Sequence, residues 1–266
     1  MTTFFSASQD APDFTNNVLV LPTLSVGKVG GLTVDLLAAT YGLPRVGWLE
    51  DENVLPVASN DTLTLLPRPD GALSTNLEVF QDVANKVTYV QQRAPVIRNR
   101  NAAFVQNLFQ WIKEARFREV VLLSSVDSAR RIAEAQFYDR HAITCRYVVG
   151  GGAEPKSSRF KWPLLEEGSF DSAFKNTSFT HLAFDACKRD GLAATILTIF
   201  CADGVNIPHA FAMADAAFHY LDLSHPQTAA APASEDEKAK PPRWRPPTSW
   251  HHLFEMASSF DATLFG

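Results

Sequence analysis

Four short stretches of this chain carry residue types whose spacing could do chemistry. The first is Gly27-Lys28-Val29-Gly30-Gly31, which joins an apolar run to a helical pattern. A glycine-rich loop feeding a helix often holds phosphate, because it aims free backbone amides at an anion. A P-loop, however, needs four residues between its first glycine and a Gly-Lys pair, followed by Ser or Thr for magnesium. Here the lysine follows the first glycine directly and Val29 stands where the hydroxyl is wanted. The dinucleotide fingerprint fails as well, because the spacing is Gly-x-x-Gly-Gly. These glycines therefore read as permitting a tight strand-to-helix turn and close packing, and no cofactor is expected.

The second stretch, Ser124-Ser125-Val126-Asp127, follows an apolar run, where an α/β-hydrolase carries its nucleophile. The Gly-x-Ser-x-Gly elbow is absent, so a helix cap or turn is the simpler reading. The third, His251-His252, offers two imidazoles. Adjacent residues point to different faces of a helix or strand, and no Asp, Glu or Cys stands at ligand spacing, so no metal is expected. His181, His209 and His219 are isolated and read as structural. Gly150-Gly151-Gly152 could form an anion-binding nest, but a flexible turn is preferred. The residual enzyme reading is a phosphorylase- or hydrolase-like activity using Gly27–Gly31 with Ser124 and Ser125. It lacks acid and base partners, so no catalytic residues are assigned.

The fourth stretch is Leu264-Phe265-Gly266, a hydrophobe, an aromatic and a small residue that would bear a terminal carboxylate. A frayed end is one reading. The other is a docking peptide, whose apolar pair fills a cleft while the carboxylate meets a lysine or backbone amides.

The elements that must position these groups follow from periodicity. Val18–Leu49 reads as apolar strand, loop, apolar helix and second apolar strand, a β-loop-α-β unit with buried parallel strands. Leu77–Phe80 and Val87–Gln91 read as strands, the second alternating as if one face were half exposed. Asn99 or Asn101 is placed to cap a helix carrying Phe104, Val105, Leu108, Phe109 and Ile112, before a strand at Val120–Leu123. Ala129–Phe137 suits a short helix, and Ala142–Val149 a strand. Thr180–Arg189 suits a helix closed by Gly191, Ala193–Phe200 a buried strand, and Ala210–Leu221 an amphipathic helix. This alternation predicts an α/β fold: a single three-layer domain, a parallel or mixed sheet with helices on both faces, plus a flexible C-terminal tail.

Residues 1–16 read as a flexible arm and 17–223 as the core domain. Residues 224–242 read as a disordered insertion, because HPQTAAAPASEDEKAKPP is too poor in apolar residues to offset ordering. The aromatic segment 243–259 is expected to pack back on the core, and 260–266 forms the docking tail. The chain is 46% apolar, with a net charge of −5 and its Lys and Arg scattered. That speaks against nucleic-acid or acidic-membrane partners, since phosphate binding needs clustered cations. Three cysteines without CxxC spacing fit buried thiols in a reducing compartment, and no run reaches the ~18 apolar residues of a membrane span. A soluble intracellular protein, cytoplasmic and nuclear, is expected.

Five blocks occur in an order that resembles the proteasome assembly chaperone 2 family. They are LPTLSVGKVGGLTVDLL (Leu21–Leu37); Gln91-Gln92-Arg93 with the following helix and VVLLSS; Gly150–Gly152; Asp203-Gly204-Val205-Asn206-Ile207-Pro208 with Ala210; and Arg243-Trp244 with Pro247, Ser249, Trp250, Leu253 and Phe254. The resemblance implies a non-catalytic chaperone that pairs with an assembly chaperone 1-type subunit. The heterodimer would bind the outer face of the α-ring of the proteasome core particle and promote its correct assembly. Family members can end in a hydrophobic-Tyr-any tripeptide that enters a pocket between α subunits, which matches Leu264, Phe265 and Gly266. The departure is Phe265, which lacks the tyrosine hydroxyl.

Overall fold

The computed structural model describes residues 4–8, 10–63, 73–132, 143–154, 162–166, 168–226 and 240–251. Its elements in chain order begin with β1 (Phe5–Ala7), β2 (Val18–Pro22), α1 (Val29–Tyr41), β3 (Arg45–Leu49), β4 (Ala58–Asn60) and β5 (Leu73–Thr75). There follow β6 (Leu77–Asp82), β7 (Val87–Gln92), α2 (Asn101–Glu114), β8 (Glu119–Asp127) and β9 (Cys145–Gly150). The last are α3 (Ser169–Ala173), α4 (Phe179–Asp190), β10 (Ala193–Cys201) and α5 (Ile207–Leu221).

Eight strands form one mixed sheet in the order β1-β3-β6-β7-β2-β8-β10-β9, while β4 and β5 form a separate ribbon. The four central strands, β7, β2, β8 and β10, are parallel. The outer pairs β6–β7, β3–β6, β1–β3 and β9–β10 are antiparallel. Side chains of a strand alternate between faces, and the central strands are apolar on both. Leu19, Leu21, Val120, Leu122 and Ile196 meet α2 and α4 in one cluster. Val18, Val20, Val121, Leu123 and Leu197 meet α1 and α5 in the other. The mixed sheet with helices on both faces is the architecture the periodicity predicts.

Several local expectations change. β2 and β3 do run parallel across α1, but β7 and β6 lie between them. β7 is buried along its whole length instead of half exposed. Two of its polar side chains find distant partners and one a local one: Thr88 accepts from Asn17 (2.9 Å), Gln91 donates to the Gly31 carbonyl (2.8 Å), and Gln92 donates to that of Ala94, two residues on (3.0 Å). Neither asparagine caps α2. Arg100 holds the cap position, Asn99 sits at φ 65°, and Asn101 donates to the Thr177 carbonyl. Of the short helix expected over Ala129–Phe137, the described part is a single 3-10 turn at Ser128–Arg130.

The N-terminal stretch is not a loose arm where it is described. Phe5–Ala7 pairs with β3 as an edge strand, and Phe14 is buried. Phe5 stacks on Trp111 at 5.9 Å, and Phe14 packs edge-on to Trp111 and face-on to Phe117. These phenylalanines outweigh the polar residues around them, because each buries a large apolar area. The sheet domain therefore starts before residue 17.

At the other end, Ser224 is held by the Asn85 side-chain carbonyl, and residues 227–239 of the expected insertion lie outside the described residues. Where the description resumes, Trp244 donates to Asp215 (2.6 Å), the Arg245 amide donates to Thr40, and Trp250 is buried against Leu36, Ile207, Ala210 and Ala214. Residues 252–266, including the tail, lie outside the described residues.

Two adjacent glycines at the start of α1 differ sharply. A Cβ on Gly30 would overlap the Leu123 carbonyl, whereas one on Gly31 would meet Gln91 at an ordinary 3.6 Å. Gly30→Ala should therefore cost about 1–3 kcal/mol of stability. Gly31→Ala should gain about 0.5–1 kcal/mol, because alanine loses less backbone freedom in a helix. Denaturant melts of the two variants check the opposite signs.

Candidate functional site

In an open parallel sheet, ligands gather beyond the carboxyl ends of the strands, where neighbouring strands send their onward connections in opposite directions. Here that point lies between β2, which leads through α1 towards β3, and β8, whose next parallel neighbour is β10. A cleft of about 410 Å³ opens there, walled by Thr23–Val26, Ser124–Asp127, Pro95-Val96 and the segment before α4.

Its floor is a set of paired hydroxyls. The Thr23 amide donates to the Leu123 carbonyl (2.8 Å) and its hydroxyl donates to Ser124 Oγ (2.8 Å). Ser25 Oγ and Ser125 Oγ share a 2.7 Å hydrogen bond, and Ser125 Oγ also donates to the Val26 carbonyl. Ser124 and Ser125 are thus the stitches between β8 and the turn that follows β2. Each hydroxyl hydrogen-bonds another hydroxyl or a carbonyl, an arrangement that ties the two segments together. Asp127 accepts from the Ala129 amide and caps the 3-10 turn, the role that Ser-Ser-x-Asp suggested.

The Gly27–Gly31 loop serves packing. Gly27 has φ 66°, and a Cβ there would collide with the Asn206 amide group, which holds the carbonyls of Ala202 and Gly204. Gly151 and Gly152 turn the chain after β9 with φ 62° and 90°. His181 faces Asp185 at 2.9 Å, and His219 packs against Trp162. Burial pushes the pKa of His209 down, with Arg131 nearby adding to the shift. His251 is exposed, and His252 lies outside the described residues. Among the described residues, no group of three or more His, Cys, Asp or Glu could hold a metal ion, and no helix is long and apolar enough to cross a membrane.

What the sequence did not display is the company the cations keep. Lys28, Arg98, Arg100 and Lys175 are exposed, and each lines the cleft or lies within two residues of its lining. None of the four has a carboxylate partner among the described residues. A second constellation was also missed. Glu78, 1% exposed, receives Arg45 and Arg93 at 2.7 Å each, and Arg93 reaches Asp35 of α1 at 3.1 Å. Burial pushes the Asp35 carboxyl up against the pull of Arg93. Burial draws Arg93 down, and Asp35 and Glu78 more than reverse it. A lone Glu inside the apolar run Leu77–Phe80 was the available signal.

This fold is shared with solved structures. That of PbaA from Pyrococcus furiosus, an archaeal homolog of proteasome-assembly chaperone, superposes with a TM-score of 0.65 at 12% identity. The match covers 98% of this chain and 94% of that one. The P. furiosus proteasome activator PbaB gives 0.62 at 13% identity, over 98% and 96%. Residues 19–233 match the PAC2 family, and the chain belongs to it. Its relatives at 24–32% identity bear the name Proteasome assembly chaperone 2, among them the following two. The Nematostella vectensis protein is 32% identical over 226 residues, 79% of this chain and 89% of that one. The Danio rerio protein is 29% identical over 264 residues, 94% and 96%. The name these relatives carry is a chaperone's and not an enzyme's.

Cys145, Cys187 and Cys201 are buried free thiols. Burial pushes Cys145 and Cys187 up to about 12. At pH 8 such thiols are thiolate in about one molecule in ten thousand, and the thiolate is the reactive form. Native protein should release less than one equivalent of thionitrobenzoate from Ellman's reagent in the time that urea-unfolded protein releases three.

Proposed function

We propose that this chain is a proteasome assembly chaperone subunit. The observation that carries the reading is identity of 24–32% to proteins named Proteasome assembly chaperone 2, over most of both chains. In this proposal it pairs with an assembly chaperone 1-type subunit, and the pair binds the outer face of the α-ring in cytoplasm and nucleus. Leu264, Phe265 and Gly266 anchor it in a pocket between α subunits. The missing hydroxyl of Phe265 forgoes about 0.5–1.5 kcal/mol, whereas its buried ring keeps about 1.5–3 kcal/mol. The tail therefore still docks, more weakly than a tyrosine version. Weak contacts suffice, because a tail tethered beside a bound domain acts at high effective concentration.

Tagged full-length protein expressed in a eukaryotic cell should copurify with a related chaperone and with α subunits. Removing residues 264–266 should lower α-subunit recovery while leaving chaperone pairing and the thermal midpoint unchanged. Recovery of neither partner overturns the proposal, and unchanged α-subunit recovery without the tail overturns the anchor.

A further inference from the structure

We infer that the cleft at the carboxyl edge of β2 and β8 docks an extended, acidic segment of a partner protein that carries an apolar residue at its centre. Three observations converge on this edge. The cleft itself, about 410 Å³, is large enough for an aliphatic side chain and its backbone. Its rim exposes hydrophobes: Leu24 at 39%, Ile97 at 37%, and Leu55, whose amide donates to the carbonyl of the rim residue Pro95. Lys175 lines the cleft, and Lys28, Arg98 and Arg100 lie within two residues of its lining, all exposed.

The charge distribution is lopsided. The whole chain carries −5, yet these four cations face solvent with no carboxylate beside them among the described residues. Two aspartates share this edge, Asp127 in the cleft lining itself, and each holds a backbone amide, so the four cations outnumber the carboxylates there. Asp127 receives the Ala129 amide, and Asp203 receives that of Gly204. A rim with an excess of cations and exposed aliphatic side chains, set around a hydroxyl-floored cleft, steers and orients a partner of the opposite sign.

A peptide fits this edge better than a nucleic acid. Nucleic-acid grooves pair cations with exposed aromatic platforms. Of the two phenylalanines that line this cleft, Phe174 is buried against Phe170, and Phe179 packs on Phe104. The exposed apolar residues are aliphatic, which suits Leu, Ile or Val of a partner chain.

The probe is a fluorescein-labelled synthetic peptide, Glu-Asp-Leu-Val-Glu-Asp, titrated by fluorescence anisotropy with the full-length chain at low salt. Three controls accompany it: a version with Ser-Ser for Leu-Val, a version with Lys at every acidic position, and a labelled deoxythymidine decamer. The acidic apolar probe should bind, and both altered peptides should bind about tenfold more weakly or not at all. The double variant Arg100→Glu with Lys175→Glu should weaken the probe about tenfold. Arg118→Glu, at an exposed cation before the opposite end of β8, should not. Lys175→Glu alone, checked by its thermal midpoint, serves if the double variant is unstable, and should weaken the probe about threefold.

The inference is overturned by no saturable binding at about 1 mM protein. It is equally overturned by indifference to Ser-Ser replacement, by equal loss in Arg118→Glu, or by a decamer that binds with the same variant dependence more tightly than the peptide. The test uses the isolated chain and a synthetic probe, so its failure leaves the chaperone reading intact.

Discussion

The turn that carries the chain from β2 into α1 has almost no free space, and much of the molecule is placed by it. The Leu123 carbonyl on β8 accepts the Thr23 amide and stands where any Cβ on residue 30 would have to go. On its other side, Gly27 is pressed against Asn206, which shapes the loop before α5. One short turn thus fixes the height of α1 over the sheet and, through Asn206, the start of α5. Helix-on-helix contact follows: Thr33 of α1 reaches the carbonyls of Val29 and Ala210. Trp250 then seats on the groove these two helices make. Close-packed interiors transmit such constraints because no slack exists to absorb them.

Towards the β1 edge, α1 is tied down by charge instead. Glu78 lies inside the sheet with both carboxylate oxygens engaged, by Arg45 and Arg93, and Arg93 extends to Asp35. Buried charges of this kind are tolerable only as a complete set, since removing one member strands the others. The steric contact at Gly30 and the ionic contact at Asp35 act one turn and a half apart on one helix. Together they leave the sheet's carboxyl edge a firm frame on which loops can present side chains.

Local structure was readable in the sequence because its causes are local. Apolar runs marked β2, β8 and β10; three- and four-residue spacing marked α2; Gly191 at φ 64° closes α4 as its identity suggested. What could not be read depends on distant partners. Thr88 and Gln91 look like a solvent face until Asn17 and Gly31 are brought beside them. Phe5 and Phe14 look stranded in a polar arm until Trp111 and Phe117 arrive. The cations of the cleft looked scattered along the chain, and only the strand order places residues 28, 98, 100 and 175 on one edge. For residues 264–266 the residue types alone leave a frayed end and a docking peptide both open, and the proposed anchor rests on the resemblance.

The sheet's order also sets a timetable for synthesis. β2 occupies the middle of the finished sheet, yet its partners are made well after it: Val18 pairs with Val87 on one side and with Glu119 on the other. Roughly a hundred residues must therefore be made before this apolar strand is flanked, and contacts so far apart in sequence form slowly. Until then the Val-Leu-Val-Leu segment lacks the strands that flank it in the sheet. A protein whose relatives are named for assisting assembly thus itself depends on contacts that are slow to form.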